Sequence, residues 1–152
     1  MSKVKGVPEG MHTVTAALAV EGASDAIAFY KKAFGAEEVM RAPDPTGKKI
    51  WHAQIRIGDS QVFVNDASPE MGNTANKTRL WIYVDSVDPL FKRATDSGAT
   101  VKMPLGDMFW GDRIGTVVDT WGNEWTLAQH VKDMTMDEMK KAQEAFVASM
   151  KK

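Results

Sequence analysis

The chain has no cysteine. That excludes a disulfide framework, a thiol nucleophile and a thiolate metal site. It fits a reducing cytoplasm, which is the expected location. No basic block or stripe is present and the net charge is −1, which argues against nucleic acid or an anionic membrane as partner. No apolar run approaches the ~20 residues of a membrane span. The polar stretch Met1–Met11 has no apolar core, so no secretory signal is expected. There is no glycine-rich phosphate loop. No serine–histidine–acid set has supporting local context.

What is present is an ordinary globular composition, 43% hydrophobic and 26% charged over 152 residues. That length buries a substantial core and suits one domain spanning 1–152. Within it one pattern occurs twice. With Gly35-Ala36 laid over Gly98-Ala99, the segment from Asp25 lies over that from Asp88. A strand-like run precedes each segment and three short ones follow. A repeat of about sixty residues is too long, and occurs too few times, for a solenoid. It reads as a duplicated βαβββ unit. The expected fold is α+β, with two modules (about 13–66 and 78–130) forming a curved mixed sheet around a cleft. A C-terminal helix over about 135–150 completes it.

Local signals place the elements. Ser24 is a candidate cap for a helix from about Asp25 to Phe34, ended by Gly35. Ile50–Ile57 alternates, with Trp51, Ala53, Ile55 and Ile57 on one face and His52, Gln54 and Arg56 on the other. Residues 67–78 read as a loop linking the halves. Asp85 or Ser86 caps the second helix, with Pro89 in its first turn. Thr135-Met-Asp-Glu138 is a capping box opening the last helix, whose stripe is Met139, Ala142, Phe146 and Met150.

With this repeat the chain resembles the vicinal-oxygen-chelate superfamily of glyoxalases, bleomycin-resistance proteins and dioxygenases, and within it the PhnB-like subgroup. The resemblance is carried by Ala26–Glu37, His52–Asp59, Met108-Phe-Trp-Gly-Asp-Arg-Ile-Gly115 and Asp119-Thr-Trp-Gly-Asn-Glu-Trp125. In metal-dependent members it implies four inward ligand positions drawn from His and Glu. By register these fall on Thr15, Gln54, Arg79 and Thr126, none a usual first ligand for a transition metal. The fallback metal set is His52, Glu124 and His130, which share faces with those positions. The plainer reading puts these histidines at strand ends, bonded to backbone or solvent, and His12 on the surface.

The expected cleft residues are His52, Gln54 and Arg56 from the first half. Arg79, Trp81, Tyr83, Trp110 and Arg113 come from the second. Indole faces stack on flat molecules and guanidinium groups hold carboxylate or phosphate. Against this, Trp81 and Tyr83 would also fill a core between sheets, and Asp112 would pair with Arg113. Trp51, Trp121 and Trp125 are expected in core or hairpin packing. The expected function is metal-free binding of a planar or anionic small molecule, with no cofactor; whether a reaction is catalysed is left open by the residues. The alternatives are a metal-dependent lyase or isomerase of the same superfamily, or an interaction module with a closed cleft. A homodimer is expected, because the edges of two half-sheets are usually covered.

Overall fold

A computed structural model of the chain describes residues 4–151; Met1–Lys3 and Lys152 lie outside them. The chain divides between Thr78 and Arg79 into two compact units. Each contains one βαβββ module.

In the first unit the order is β1 (Ala16–Val20), α1 (Ala23–Phe34), β2 (Glu37–Pro43), β3 (Ile50–Ile57) and β4 (Ser60–Asp66). The sheet order is β1-β4-β3-β2, with β1 parallel to β4 and the rest antiparallel. Leu18, Val20, Ala53, Ile55, Val62 and Val64 are buried on one face of the sheet. They pack with Ala26, Ile27, Tyr30, Ala33 and Phe34 of α1, which recur at helical spacing. Gly35 ends α1 in the left-handed conformation at φ 70°, as its position in the repeat predicts.

Two local expectations for this unit are corrected. Ser24 is inside α1, and its Oγ accepts a bond from Arg41 instead of capping the helix. The N-terminus of α1 is capped from a distance. Asp66 Oδ1, at the end of β4, accepts from the backbone N–H groups of Gly22 and Ala23, both at 2.9 Å. Its Oδ2 accepts from the N–H of Ile50 at 2.7 Å. Trp51 is 49% exposed and not in the core. The register slips between Ala42 and Pro43, so Ile50 turns inward and Trp51 outward.

The segment 67–78 is not a plain loop. A 3-10 turn spans Pro69–Met71, and Ser68 bridges to Asn73. Asn76 lies along β1 like a short added strand. Its backbone N–H donates to Ala19 O and its side chain binds Ala19 N and Ala17 O. Polar groups that an edge strand would expose are thereby satisfied.

The second unit repeats the plan with β5 (Arg79–Tyr83), α2 (Val87–Asp96), β6 (Thr100–Asp107), β7 (Asp112–Val118) and β8 (Glu124–His130). Its sheet order is β5-β8-β7-β6, with β5 parallel to β8. Pro104 sits in the edge strand β6 beside register shifts, where a missing N–H is tolerated. Ser86 is the N-cap position of α2 but its side chain makes no capping bond; Gln129 Oε1 accepts from Val87 N–H instead. Gly115 lies under α2. A Cβ there would meet the Phe91 ring at 2.6 Å, so only glycine lets helix and strand approach this closely. Trp125 is buried as expected, and its Nε1 donates to Asp119 Oδ2 at 2.9 Å.

The last helix, α3 (Met136–Met150), opens with the expected capping box, Thr135 and Glu138 bonding reciprocally. Its stripe is only partly covered. Met139 and Ala142 are half-buried, while Phe146 and Met150 are exposed. Phe146 touches Phe109 at 5.5 Å between ring centres. No helix among the described residues is long and apolar enough to cross a membrane.

Candidate functional site

In the second unit, strand register decides which side chains share a face. Arg79, Trp81 and Tyr83 of β5 lie beside Glu124, Thr126 and Ala128 of β8. Those in turn lie beside Val118, Thr116 and Ile114 of β7, and His130 lies beside Asp112. This is the face opposite α2. The other face carries Leu80, Ile82, Val117 and Leu127 toward the helix.

Trp81 and Tyr83 are 45% and 58% exposed, with ring centres 6.1 Å apart and planes tilted by 36°. Arg79 pairs with Glu124 at 3.1 Å, and Lys102 holds the other oxygen of the same carboxylate. The pair is not a buried one, since the Arg79 side chain is 81% exposed. The contact of Glu124 with Lys102, and then with Arg79, lowers its carboxyl from the ordinary value. Thr126 and Thr116 are buried and bond each other at 2.9 Å.

At the far end of this face is a cluster built around Asp112. The carboxylate is buried, and all its partners are side chains. Oδ2 accepts from Tyr83 Oη at 2.7 Å and from Trp110 Nε1 at 3.0 Å. Oδ1 bonds His130 Nδ1 at 2.8 Å. The other ring nitrogen, Nε2, bonds Asp133 Oδ1 at 2.7 Å. Burial by itself raises the Asp112 carboxyl, but bonds from His130, Tyr83 and Trp110 outweigh it and hold it below the ordinary value. The bonds to Asp112 and then Asp133 raise His130. The bond to Asp112 also raises Tyr83.

The Phe-Trp-Gly-Asp-Arg block now has a physical account. Phe109 packs edge-on against Trp110. Trp110 spends its single N–H on Asp112. Gly111 has φ 97°, and its carbonyl accepts from the N–H groups of Val131 and Lys132. Asp112 is the hub. Arg113, next along the strand, points the opposite way. It binds Asp88 of α2 at 2.8 and 3.1 Å and Asp107 at 3.3 Å. Arg113 is therefore removed from the candidate ligand face and ties α2 to its sheet. Alternation along β7, which begins at Asp112, was the available signal.

In the first unit His52, Gln54 and Arg56 do share the face opposite α1, as expected. Their side chains are engaged. His52 contacts Phe63 at 4.7 Å between ring centres. Gln54 donates to Gln61 Oε1 at 2.8 Å, and Arg56 pairs with Glu37.

The donor chemistry at the implied metal positions does not fit a metal. Arg79 is a fixed cation, Thr126 bonds Thr116, and Gln54, whose Nε2 donates to Gln61, would offer only a neutral amide oxygen. The fallback set is also corrected. Glu124 and His130 are the two ends of β8, roughly 20 Å apart at the usual strand rise, and cannot share one ion. Among the described residues no group of three His, Asp or Glu side chains is placed to hold one.

The cluster predicts a pH window. Asp112, with a lowered carboxyl, stabilises the fold above its unfolded value, and this is lost as pH falls through its folded one. His130, with a raised ring, stabilises below its unfolded value, and this is lost as pH rises through its folded one. Both contributions are complete between about pH 4 and pH 6.5. Denaturation of wild type and His130→Gln across pH is expected to give a difference largest in that window and shrinking above it. A flat difference curve would contradict the geometry.

Comparison with known proteins agrees with the architecture. The family model of the Glyoxalase/Bleomycin resistance protein/Dioxygenase superfamily matches residues 11–127. The chain belongs to that superfamily. It is 43% identical over 134 residues to the uncharacterised protein Mb0911c of Mycobacterium bovis, covering 82% of this chain and 88% of that one. It is 29% identical over 127 residues to protein YjdN of Escherichia coli, covering 68% and 85%. Among solved structures it is similar to TioX from Micromonospora sp. ML1, with TM-score 0.66, 26% identity, and 79% and 99% coverage.

Proposed function

We propose that the protein binds a small planar or anionic molecule without a metal, as a binding member of its superfamily in the PhnB-like branch. The observation that carries this reading is the pair Trp81 and Tyr83. Two large aromatic rings stand exposed side by side on a sheet face, beside the hydrogen-bonded pair Thr116 and Thr126. Exposed aromatics of this kind suit stacking on a flat ligand. Arg79 supplies a nearby positive charge. The lack of fitting donors at the implied metal positions favours binding over a metal-dependent lyase or isomerase reaction. The same reading takes the protein as a cytoplasmic homodimer, with the uncovered apolar residues of α3 available for pairing.

Magnitudes separate the two candidate anchors. An exposed ion-pairing arginine contributes up to about 1 kcal/mol. Loss of an aromatic stacking surface costs about 1–2 kcal/mol. In a fluorescence titration with a panel of aromatic carboxylates, Trp81→Ala is expected to weaken binding roughly 5- to 30-fold. Arg79→Met is expected to weaken it less than roughly 5-fold, with unchanged melting. A panel that leaves the tryptophan emission of wild type untouched at millimolar concentrations would refute the binding reading.

A further inference from the structure

His130 is bonded through both ring nitrogens to carboxylates. An ionised carboxylate only accepts, and a neutral imidazole has only one N–H to give. Both bonds together therefore define a protonated ring, donating from Nδ1 and from Nε2. The two acceptors differ completely. Asp112 is buried and locked by Tyr83 and Trp110, so it fixes the ring's position. Asp133 has a fully exposed side chain on the segment between β8 and α3, and among the described residues its carboxylate bonds only His130. One acceptor is part of the framework. The other is a tethered carboxylate resting on a preorganised cationic donor.

We infer that His130 Nε2 is an oxyanion-binding position, and that Asp133 occupies it as an internal stand-in for the carboxylate or phosphate group of a ligand. The position is on the same sheet face as Tyr83, since Asp112 and His130 are register partners and Tyr83 bonds the same Asp112. A ligand lying along Tyr83 would thus present its anionic group at His130. The identity of that ligand rests on the reading above, but the anion position does not. Displacing Asp133 costs little in structure, because the carboxylate returns to water. It still competes with every incoming anion, so it sets a threshold on affinity. Removing such a competitor raises apparent affinity by the reciprocal of the fraction of time the site stands open.

The test uses the full chain and two probes with no aromatic part, acetate and inorganic phosphate, at pH 5.5 to 6. The readout is the nitrogen chemical shift of the His130 ring. In Asp133→Ala each probe is expected to shift His130 saturably, with affinity roughly two- to sixfold above wild type. In Asp133→Ala combined with His130→Gln, probe binding at this end of the sheet is expected to vanish, read from the amide shifts of Val131 and Lys132. Equal affinity in wild type and Asp133→Ala would overturn the inference. So would a His130 shift that never saturates, or binding that survives His130→Gln. Failure of the aromatic panel described above would leave these results standing. Success of that panel with no probe effect at His130 would sink this inference alone.

Discussion

Replacing Asp66 by alanine is expected to lower stability by roughly 3–5 kcal/mol. The carboxylate is buried at the end of β4 and accepts three backbone N–H bonds, from Gly22, Ala23 and Ile50. It joins three elements that are far apart in sequence. It also supplies the negative charge that the N-terminus of α1 favours, since Gly22 at the N-cap has no side chain to do so. In the alanine variant three donors lose their acceptor in a place water reaches poorly. Each such loss costs about 1–3 kcal/mol, and the three are not additive. Asp66→Asn should lose less. Its carbonyl oxygen can still serve Gly22 and Ala23, while its amide faces the N–H of Ile50, donor against donor. Urea denaturation of both variants checks the order. A loss below about 1 kcal/mol for alanine would mean that the carboxylate is not the joint it is taken to be.

Gly111→Ala is expected to cost about 2–4 kcal/mol and to loosen the Asp112 cluster. A Cβ at Gly111 would stand 2.2 Å from the carbonyl oxygen of Lys132, a backbone atom that cannot swing aside. The residue also has φ 97°, where an L side chain is strained. Relief requires Lys132 to retreat, and that breaks the bonds from Val131 and Lys132 to the Gly111 carbonyl. The adjoining Trp110 and Asp112 then lose their fixed placement, and so does Asp133, one residue beyond Lys132. The variant should therefore show both a lower melting temperature and a His130 ring shifted back toward its ordinary titration. A variant with normal melting would show that the close approach of residues 111 and 132 is not enforced in solution.

The two effects have a common origin. Both involve buried aspartates at or next to strand ends that collect several donors. Asp66 collects backbone donors, Asp112 collects side chains, and Asp119 collects the turn N–H groups of Trp121 and Asn123 with the indole of Trp125. The Asp-x-x-Gly-Asn-x-Trp block is therefore a hairpin whose first residue holds its turn and its core tryptophan together.

Features that depend on near neighbours are legible in the amino-acid order alone. The duplication, the strand periodicities of β3 and β8, the glycine stop after α1 and the Thr135 capping box all rest on interactions within a few residues. Those are readable from spacing, because side chains alternate in strands and recur every three or four residues in helices. The alternation of Arg79, Trp81 and Tyr83 was readable for the same reason. Features that depend on partners far along the chain emerge only from the folded arrangement. Asp66 caps α1 from 43 residues away, so Ser24, the better local candidate, is not used. A register slip turns Trp51 outward, and nothing in its own alternation announces that. Arg113 faces α2 because it lies within β7 and alternates with Asp112 and Ile114. The Asp112 cluster joins β5, β7, β8 and the approach to α3. Its members are spread from Tyr83 to Asp133, and no spacing rule links them. Only the pairing of strands, set by burial of the opposite face against α2, brings those side chains within hydrogen-bond reach.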